Sequence, residues 1–247
     1  MRVLLLAGSG EARTLAHSLM AMGIDTIASF ASDNRVPDDL GIRLRIGGFG
    51  GAEPFAEFLQ TQGIAAVLDA THPFAHLISL RTSQVCAQMG IPYLQLLRPE
   101  WKPAPDDSWT VIDDETQAAD HIPVDATVFL ATGRQTLDRF ANMSGRRLIC
   151  RRIDQPKGPF PFKGGEYLVG IPPFSQAEEE ELFTSLGIDW LVVKNAGGMA
   201  SRSKLDAARA LGLPVAMIRR PAKLDAPQVE SVDQALNWVK TLGIREK

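Results

Sequence analysis

Four short segments of this sequence combine residue types that could hold an anion or move a proton. The first is Gly8-Ser9-Gly10-Glu11-Ala12. Glycines let a backbone turn tightly and approach a phosphate, whose charge then meets the unused N–H groups at a helix start. Arg13 stands where a G-x-G-x-x-G pattern would carry its third glycine, so the segment also suits a plain glycine-cornered turn with no ligand. The second is Asp69-Ala70-Thr71-His72-Pro73-Phe74-Ala75-His76. Thr71 suits a helix cap and Pro73 a first helical residue. In a cleft, His72 could donate a hydrogen bond or supply a proton. His72 and His76 are four apart, but His72 precedes the helix and no third ligand is near, so no metal site is expected. The third is Ala131-Thr132-Gly133-Arg134-Gln135, and the fourth is Lys194-Asn195-Ala196-Gly197-Gly198 with Ser201-Arg202-Ser203-Lys204 behind it. Together with Arg219-Arg220-Pro221, the last of these could grip a polyanion if the strands before them are parallel neighbours. Otherwise Lys194, Arg202, Lys204, Arg219 and Arg220 are separate solvated loop charges.

Each segment follows an apolar run, and the runs alternate with amphipathic stretches almost from end to end. Strands are predicted at 2–7, 25–29, 42–46, 65–69 and 93–96, with helices at 11–22, 53–60 and 74–89. Residues 98–107, with Pro99, Pro103 and Pro105, break the rhythm and read as a connector. Strands then recur at 109–112, 127–131, 148–151, 167–171, 190–193 and 215–218, with helices at 114–121, 175–186, 202–211 and 232–242. Residues 156–165, rich in Pro, Gly and Phe, read as a mobile loop. Near-continuous hydrophobic strands separated by helices imply an α/β fold with mainly parallel sheets covered on both faces. No internal repeat of fixed period is visible, yet both halves share the same grammar. Two Rossmann-like domains are therefore expected, at 1–100 and 127–247, with a connector region at 101–126.

The end of the second predicted strand bears on which dinucleotide would fit. NAD-specific folds carry an acid there for the ribose 2′-hydroxyl. This chain has Ser29, followed by Ser32 and Arg35, which suits a 2′-phosphate and hence NADPH. Asp33 weighs slightly against this, and Arg35 also reads as an ordinary exposed loop charge.

The 247 residues carry a formal net charge of −3. Residues 1–125 hold 8 Lys and Arg against 16 Asp and Glu, a balance of −8, and residues 126–247 hold 18 against 13, a balance of +5. That asymmetry suggests an anionic ligand leaning on the second half. No dense basic run appears, so nucleic acid is not an expected partner. Cys86 and Cys150 are far apart and form no CxxC, and they read as buried thiols in a reducing cytoplasm. The apolar run 3–7 is too short for a signal-peptide core or a membrane span, so no membrane association is expected. Tyr93 and Tyr167 are followed four residues later by Leu97 and Ile171, which excludes a Tyr-x-x-x-Lys acid. No Gly-x-Ser-x-Gly elbow or Walker lysine loop is present.

Taken together, Gly8-Ser9-Gly10-Glu11-Ala12, the run Asp69 to Ala75, Lys194-Asn195-Ala196-Gly197-Gly198, and Lys204-Leu205 through Arg220-Pro221 resemble the precorrin-6A reductase family of cobalamin biosynthesis. The resemblance covers essentially the whole chain. The family's first loop more often reads Gly-Gly-Thr-x-Glu-Ala, from which Ser9-Gly10 departs mildly. The resemblance implies NADPH-dependent reduction of precorrin-6A to precorrin-6B, with a hydride added to one macrocycle double bond and a proton taken up at the neighbouring carbon. It also implies a coenzyme at the interface of two Rossmann-like domains, and transient hand-over to other enzymes of the cobalamin pathway. On this reading Gly8, Ser9, Gly10, Glu11 and Ala12 hold the pyrophosphate. Ser29, Ser32 and Arg35 select the 2′-phosphate, and Thr71, His72, Gly133, Arg134, Gln135, Asn195, Gly197 and Gly198 line the rest. Precorrins carry many carboxylates, which gives Lys194, Arg202, Lys204, Arg219 and Arg220 an anionic tetrapyrrole to bind. The proton source is open among solvent, His72 and a lysine, Lys194 or Lys204. A cobalt-precorrin-6A reductase and a non-catalytic NADP(H)-binding module remain the alternatives.

Overall fold

Strand β1 (Arg2–Ala7) carries five consecutive buried apolar residues because both faces of its sheet are covered. Val3, Leu5 and Ala7 join a core with helix α1 (Gly10–Ala21), while Leu4 and Leu6 join another with helices α2 (Ala52–Thr61) and α3 (His76–Met89). Alternate side chains of a strand point to opposite faces, so a run apolar at every position needs a layer on each side. The computed structural model describes residues 2–31 and 40–243. It divides into two units: Met1–Pro99 with Pro221–Lys247, and Glu100–Arg220.

The first unit adds β2 (Asp25–Phe30), β3 (Arg43–Ile46), β4 (Ile64–Ala70) and β5 (Tyr93–Leu96) to β1. The second contains β6 (Trp109–Ile112), β7 (Thr127–Leu130), β8 (Arg147–Arg152), β9 (Glu166–Val169), β10 (Trp190–Lys194) and β11 (Val215–Ile218). Its helices are the short α4 (Ala118–His121), α5 (Gln176–Leu186) and α6 (Ser203–Ala210). The chain then supplies β12 (Gln228–Val229) and α7 (Val232–Thr241) to the first unit. The sheet orders are β12-β5-β4-β1-β2-β3 and β6-β11-β10-β7-β8-β9, and every pairing is parallel. This is the expected α/β architecture of two Rossmann-like sheets. In each sheet the order reverses once, between β1 and β4 and between β7 and β10. Open α/β sheets bind ligands at the carboxyl ends of strands at such reversals.

The expected domain boundaries need correcting at both ends. Residues 101–126 are not a connector, because Trp101 is buried in the second unit's core and β6 extends its sheet beside β11. Residues from 221 onward do not belong with the second half. There, β12 pairs with β5, and Ala235 and Val239 of α7 pack into the core that holds Leu15 and Leu19 of α1. The returning strand covers an edge that β5 would otherwise expose. Counted over the folded units, the charge asymmetry disappears. The first has 11 Lys and Arg against 12 Asp and Glu and the second has 15 against 17, giving −1 and −2. The division of the sequence near residue 125 produced the apparent acidic and basic halves. No helix among the described residues is long and apolar enough to cross a membrane.

Candidate active site

The turn after β1 sits at the first reversal. Ser9 caps α1, its Oγ accepting from Ala12 N at 3.3 Å and donating to Ala70 O at 2.8 Å. One hydroxyl thus ties the start of α1 to the end of β4. Gly8 is required by a close approach: a Cβ there would lie 3.3 Å from both His72 N and Thr71 Cα. At Gly10 the same construction meets nothing within 4 Å among the described residues. Glu11 in the first turn suits the helix dipole but would repel a phosphate. Arg98, just beyond β5, answers that charge at 2.6 Å. These features fit the diphosphate of a dinucleotide, with backbone N–H groups at a glycine turn and the Glu11 charge answered by Arg98.

The turn after β4 is built on Asp69, which is fully buried. Its Oδ1 accepts from Thr71 N at 3.0 Å and Thr71 Oγ1 at 2.7 Å, and its Oδ2 accepts from the Tyr93 hydroxyl at 2.8 Å. Burial and then the Asp69 charge push the Tyr93 hydroxyl far above its ordinary range, so it donates as a neutral phenol. Thr71 is therefore not the helix cap its sequence suggests, and Pro73 is not the first helical residue. Asp69 claims the threonine, a turn closes from Ala75 N to His72 O at 2.7 Å, and α3 begins only at His76 with Ala75 as its cap. His72 Nδ1 accepts from Phe74 N at 3.3 Å, which leaves the ring proton on Nε2.

Ser29, near the end of β2, is buried beside Arg45 of β3, its register partner. Arg45 Nη1 donates to Ser29 Oγ at 3.4 Å and Nη2 to Gly48 O at 3.0 Å, and the guanidinium lies 3.7 Å from the centre of the Phe49 ring. Ser32 and Arg35 lie outside the described residues. The sequence reading missed Arg45, although its place two residues before Gly47-Gly48 near the end of a predicted strand was visible.

In the second unit the reversal lies between Thr132-Gly133 and Lys194-Asn195. Gly133 has φ 71°, and behind it runs a 3-10 segment, Arg134–Phe140, kinked at Thr136. Lys194 Nζ reaches Thr136 Oγ1 at 2.9 Å, Glu115 Oε1 at 3.1 Å and Thr132 O at 3.4 Å. Burial disfavours ionised Glu115, but the Thr136 hydrogen bond and the Lys194 charge together hold its carboxyl below the usual range. Lys194 thus binds the end of β10 to the β7 turn. Thr132 Oγ1 is buried there without a hydrogen-bond partner among the described residues.

Asn195 uses its whole side chain on Trp101: Oδ1 accepts from Trp101 N at 2.9 Å and Nδ2 donates to Trp101 O at 3.1 Å. The Trp101 indole donates to Gly198 O at 2.7 Å, and Gly197 and Gly198 hold φ of 67° and 80° in this turn. Arg220 is buried and donates to Asn195 O at 2.7 Å and Ala196 O at 2.8 Å. The five expected substrate cations therefore divide. Lys194 and Arg220 are built into the turn itself. Arg219 pairs with Asp113 and Arg202 with Asp206, each at 2.9–3.1 Å, while Lys204 donates to Ser201 O and lies 5.7 Å from the centre of the Trp101 ring. Arg134 and Gln135 are exposed. Glu115, Trp101 and Arg98 were not singled out from the sequence, because each acts through a partner far away along the chain.

The family model described as "Precorrin-6x reductase CbiJ/CobK" matches residues 2–240. A precorrin-6A reductase from Rhodococcus erythropolis is 41% identical over 247 residues, covering 99% of both chains. One from Sinorhizobium sp is 39% identical, covering 96% of this chain and 92% of its own. The solved structure of a CobK precorrin-6A reductase superposes with a TM-score of 0.94 at 35% identity, covering 100% of this chain and 99% of the other. With the motifs at both sheet reversals in place and matches running the full length, the chain belongs to the precorrin-6A reductase family.

Proposed function

We propose that this protein reduces precorrin-6A with NADPH, in cobalamin biosynthesis. A reductase family on a Rossmann-like fold implies a nicotinamide coenzyme. When bound, the nicotinamide supplies the hydride. Gly8, Ser9, Gly10, Glu11 and Ala12 would hold the diphosphate at the capped start of α1, and Thr71 and His72 would border it. His72, with its proton on Nε2, lies in this turn and would be its candidate proton donor. Lys194 has its three donors engaged within its own unit and acts as a positioning residue. Arg202, Lys204 and Arg219, each with a partner already, follow strands of the second sheet and would meet substrate carboxylates there. Gly133, Arg134, Gln135, Asn195, Gly197 and Gly198 shape that edge.

One observation supports the choice of NADPH: the end of β2 offers a hydroxyl and a guanidinium, Ser29 and Arg45, side by side. Ser32 and Arg35 add to the same subsite on the sequence argument. The test is turnover of precorrin-6A followed by nicotinamide absorbance and the pigment spectrum, with NADPH and NADH compared in wild type and Arg45→Gln. The variant should lose about tenfold in kcat/KM for NADPH and little for NADH. Equal efficiency of the two coenzymes in the wild type refutes the 2′-phosphate subsite, and no turnover with either refutes the reductase reading. Running the cobalt-loaded pigment in parallel separates the metal-free from the cobalt-containing route.

A further inference from the structure

The second unit contains a cavity of about 320 Å³ lined by Arg134, Arg152, Lys157 and Tyr167. Arg134 follows β7, Arg152 ends β8 and Tyr167 lies in β9, so three adjacent parallel strands deliver these groups to one place. Arg152 is the informative member. Its side chain is 6% exposed, and its guanidinium lies 5.1 Å from the centre of the Tyr167 ring. Nη2 donates to Asp154 Oδ2 at 2.6 Å, while Nε is buried with no hydrogen-bond partner among the described residues. A buried cationic N–H without an acceptor is unfavourable, so the Arg152 guanidinium is only partly answered by its single carboxylate contact.

The charges around the cavity also point to an anion. Arg134, Arg152 and Lys157 face one lining acid, Asp138, and Asp154 bridges the two arginines at 3.5 and 2.6 Å. The group is left with a balance of +1. We propose that this cavity is an oxyanion subsite that takes one carboxylate arm of the tetrapyrrole substrate. This rests on the reductase reading above. A phosphate of the coenzyme shares the chemistry, but the observations favour a carboxylate. A single excess positive charge matches a monoanion, and Leu137, Pro161 and the Tyr167 ring suit the methylenes of a carboxyalkyl arm.

Arg152→Gln and Lys157→Gln test it. Lys157 is exposed, so its variant remains readable even if loss of Arg152 impairs folding, which thermal melting would reveal. Each variant should raise KM for precorrin-6A about tenfold and change NADP⁺ affinity, measured by calorimetry, by less than about twofold. Uroporphyrin, a polycarboxylated tetrapyrrole, is titrated in parallel by fluorescence and should bind wild type more tightly than either variant. That readout does not need turnover, so it separates failure of the subsite from failure of the reductase reading. Unchanged KM and unchanged uroporphyrin binding in both variants overturn the proposal. Weakened NADP⁺ with unchanged tetrapyrrole binding overturns it in favour of a phosphate subsite.

Discussion

Replacing Lys194 by Met removes the ammonium that holds Glu115, Thr136 and Thr132 together. The Lys194 and Glu115 side chains are 12% and 4% exposed, so the variant leaves a carboxylate buried without its main partner. Breaking such a pair typically costs about 3–5 kcal/mol. Here Arg139 remains 3.5 Å from the other Glu115 oxygen, and it is half-exposed, so part of the charge stays answered. An expected loss of about 2–3 kcal/mol follows, which lowers Tm by roughly 4–12 °C for a chain of this size. Urea unfolding at neutral pH measures it. The pH dependence has a definite sign. The Glu115 carboxyl is held below its usual range in the fold, so its contribution is present above the unfolded carboxyl pKa and is lost as pH falls through the folded one. The gap between wild type and Lys194→Met should therefore be widest near pH 7 and close toward acid, where a protonated Glu115 needs no ammonium. Lys194→Met combined with Glu115→Leu should recover most of the stability. If Lys194 only positions the turn, activity should return with it; a stable but inactive double variant would restore a proton-transfer role. A loss below about 1 kcal/mol in the single variant, or no recovery in the double, would refute the buried-pair argument.

Two further outcomes follow from the same geometry. If the proposed coenzyme site is right, Arg98→Met should leave Glu11 unanswered beside the diphosphate and raise KM for NADPH about fivefold, with Glu11→Gln restoring it in the double variant; steady-state kinetics at low ionic strength would show this. Burial and then the Asp69 charge push the Cys86 thiol up to about 12, and burial pushes Cys150 up to about 11 against the pull of Arg152. Both should resist a thiol reagent at pH 8 in the native protein and react fully in denaturant, and rapid native labelling of either would contradict the placement of that side chain.

Much of this fold was legible because its signals are local. Five apolar residues in a row at 3–7, a glycine turn and an amphipathic stretch define β1, its turn and α1 without knowledge of anything else. The same holds at Lys194, where an apolar strand meets a glycine-rich turn. What local pattern does not carry is the sheet to which a strand belongs. Residues 228–229 are too few for any periodicity, and α7 could cover either sheet by its apolar stripe alone. The boundary error followed, and with it the inferred charge asymmetry. Side-chain roles were hidden for a related reason. Thr71 before a proline has the sequence of a cap, and only the buried Asp69 two residues earlier redirects it. Arg98 and Glu11 are 87 residues apart, and Trp101 and Asn195 are 94 apart, distances over which a single sequence gives no pairing signal.

The two sheets share one strand order: β12-β5-β4-β1-β2-β3 corresponds position by position to β6-β11-β10-β7-β8-β9. In each, the sixth strand comes from outside the consecutive run, following the other unit in one case and preceding its own in the other. The corresponding reversals are nevertheless built from different chemistry. Between β1 and β4 the working parts are glycine backbone, a serine cap and an aspartate engaged by hydroxyls, with the half-buried Glu11 answered by Arg98. Such a surface presents N–H dipoles and suits a diphosphate held close to main chain. Between β7 and β10 a lysine–glutamate pair fixes the turn, and guanidinium groups stand on the strands to either side. Long cationic side chains reach carboxylates carried at a distance on flexible arms, which a glycine cradle cannot do. One topology used twice thus presents backbone donors at one reversal and long cationic side chains at the other, which is the division of labour the proposed dinucleotide and polycarboxylate sites call for.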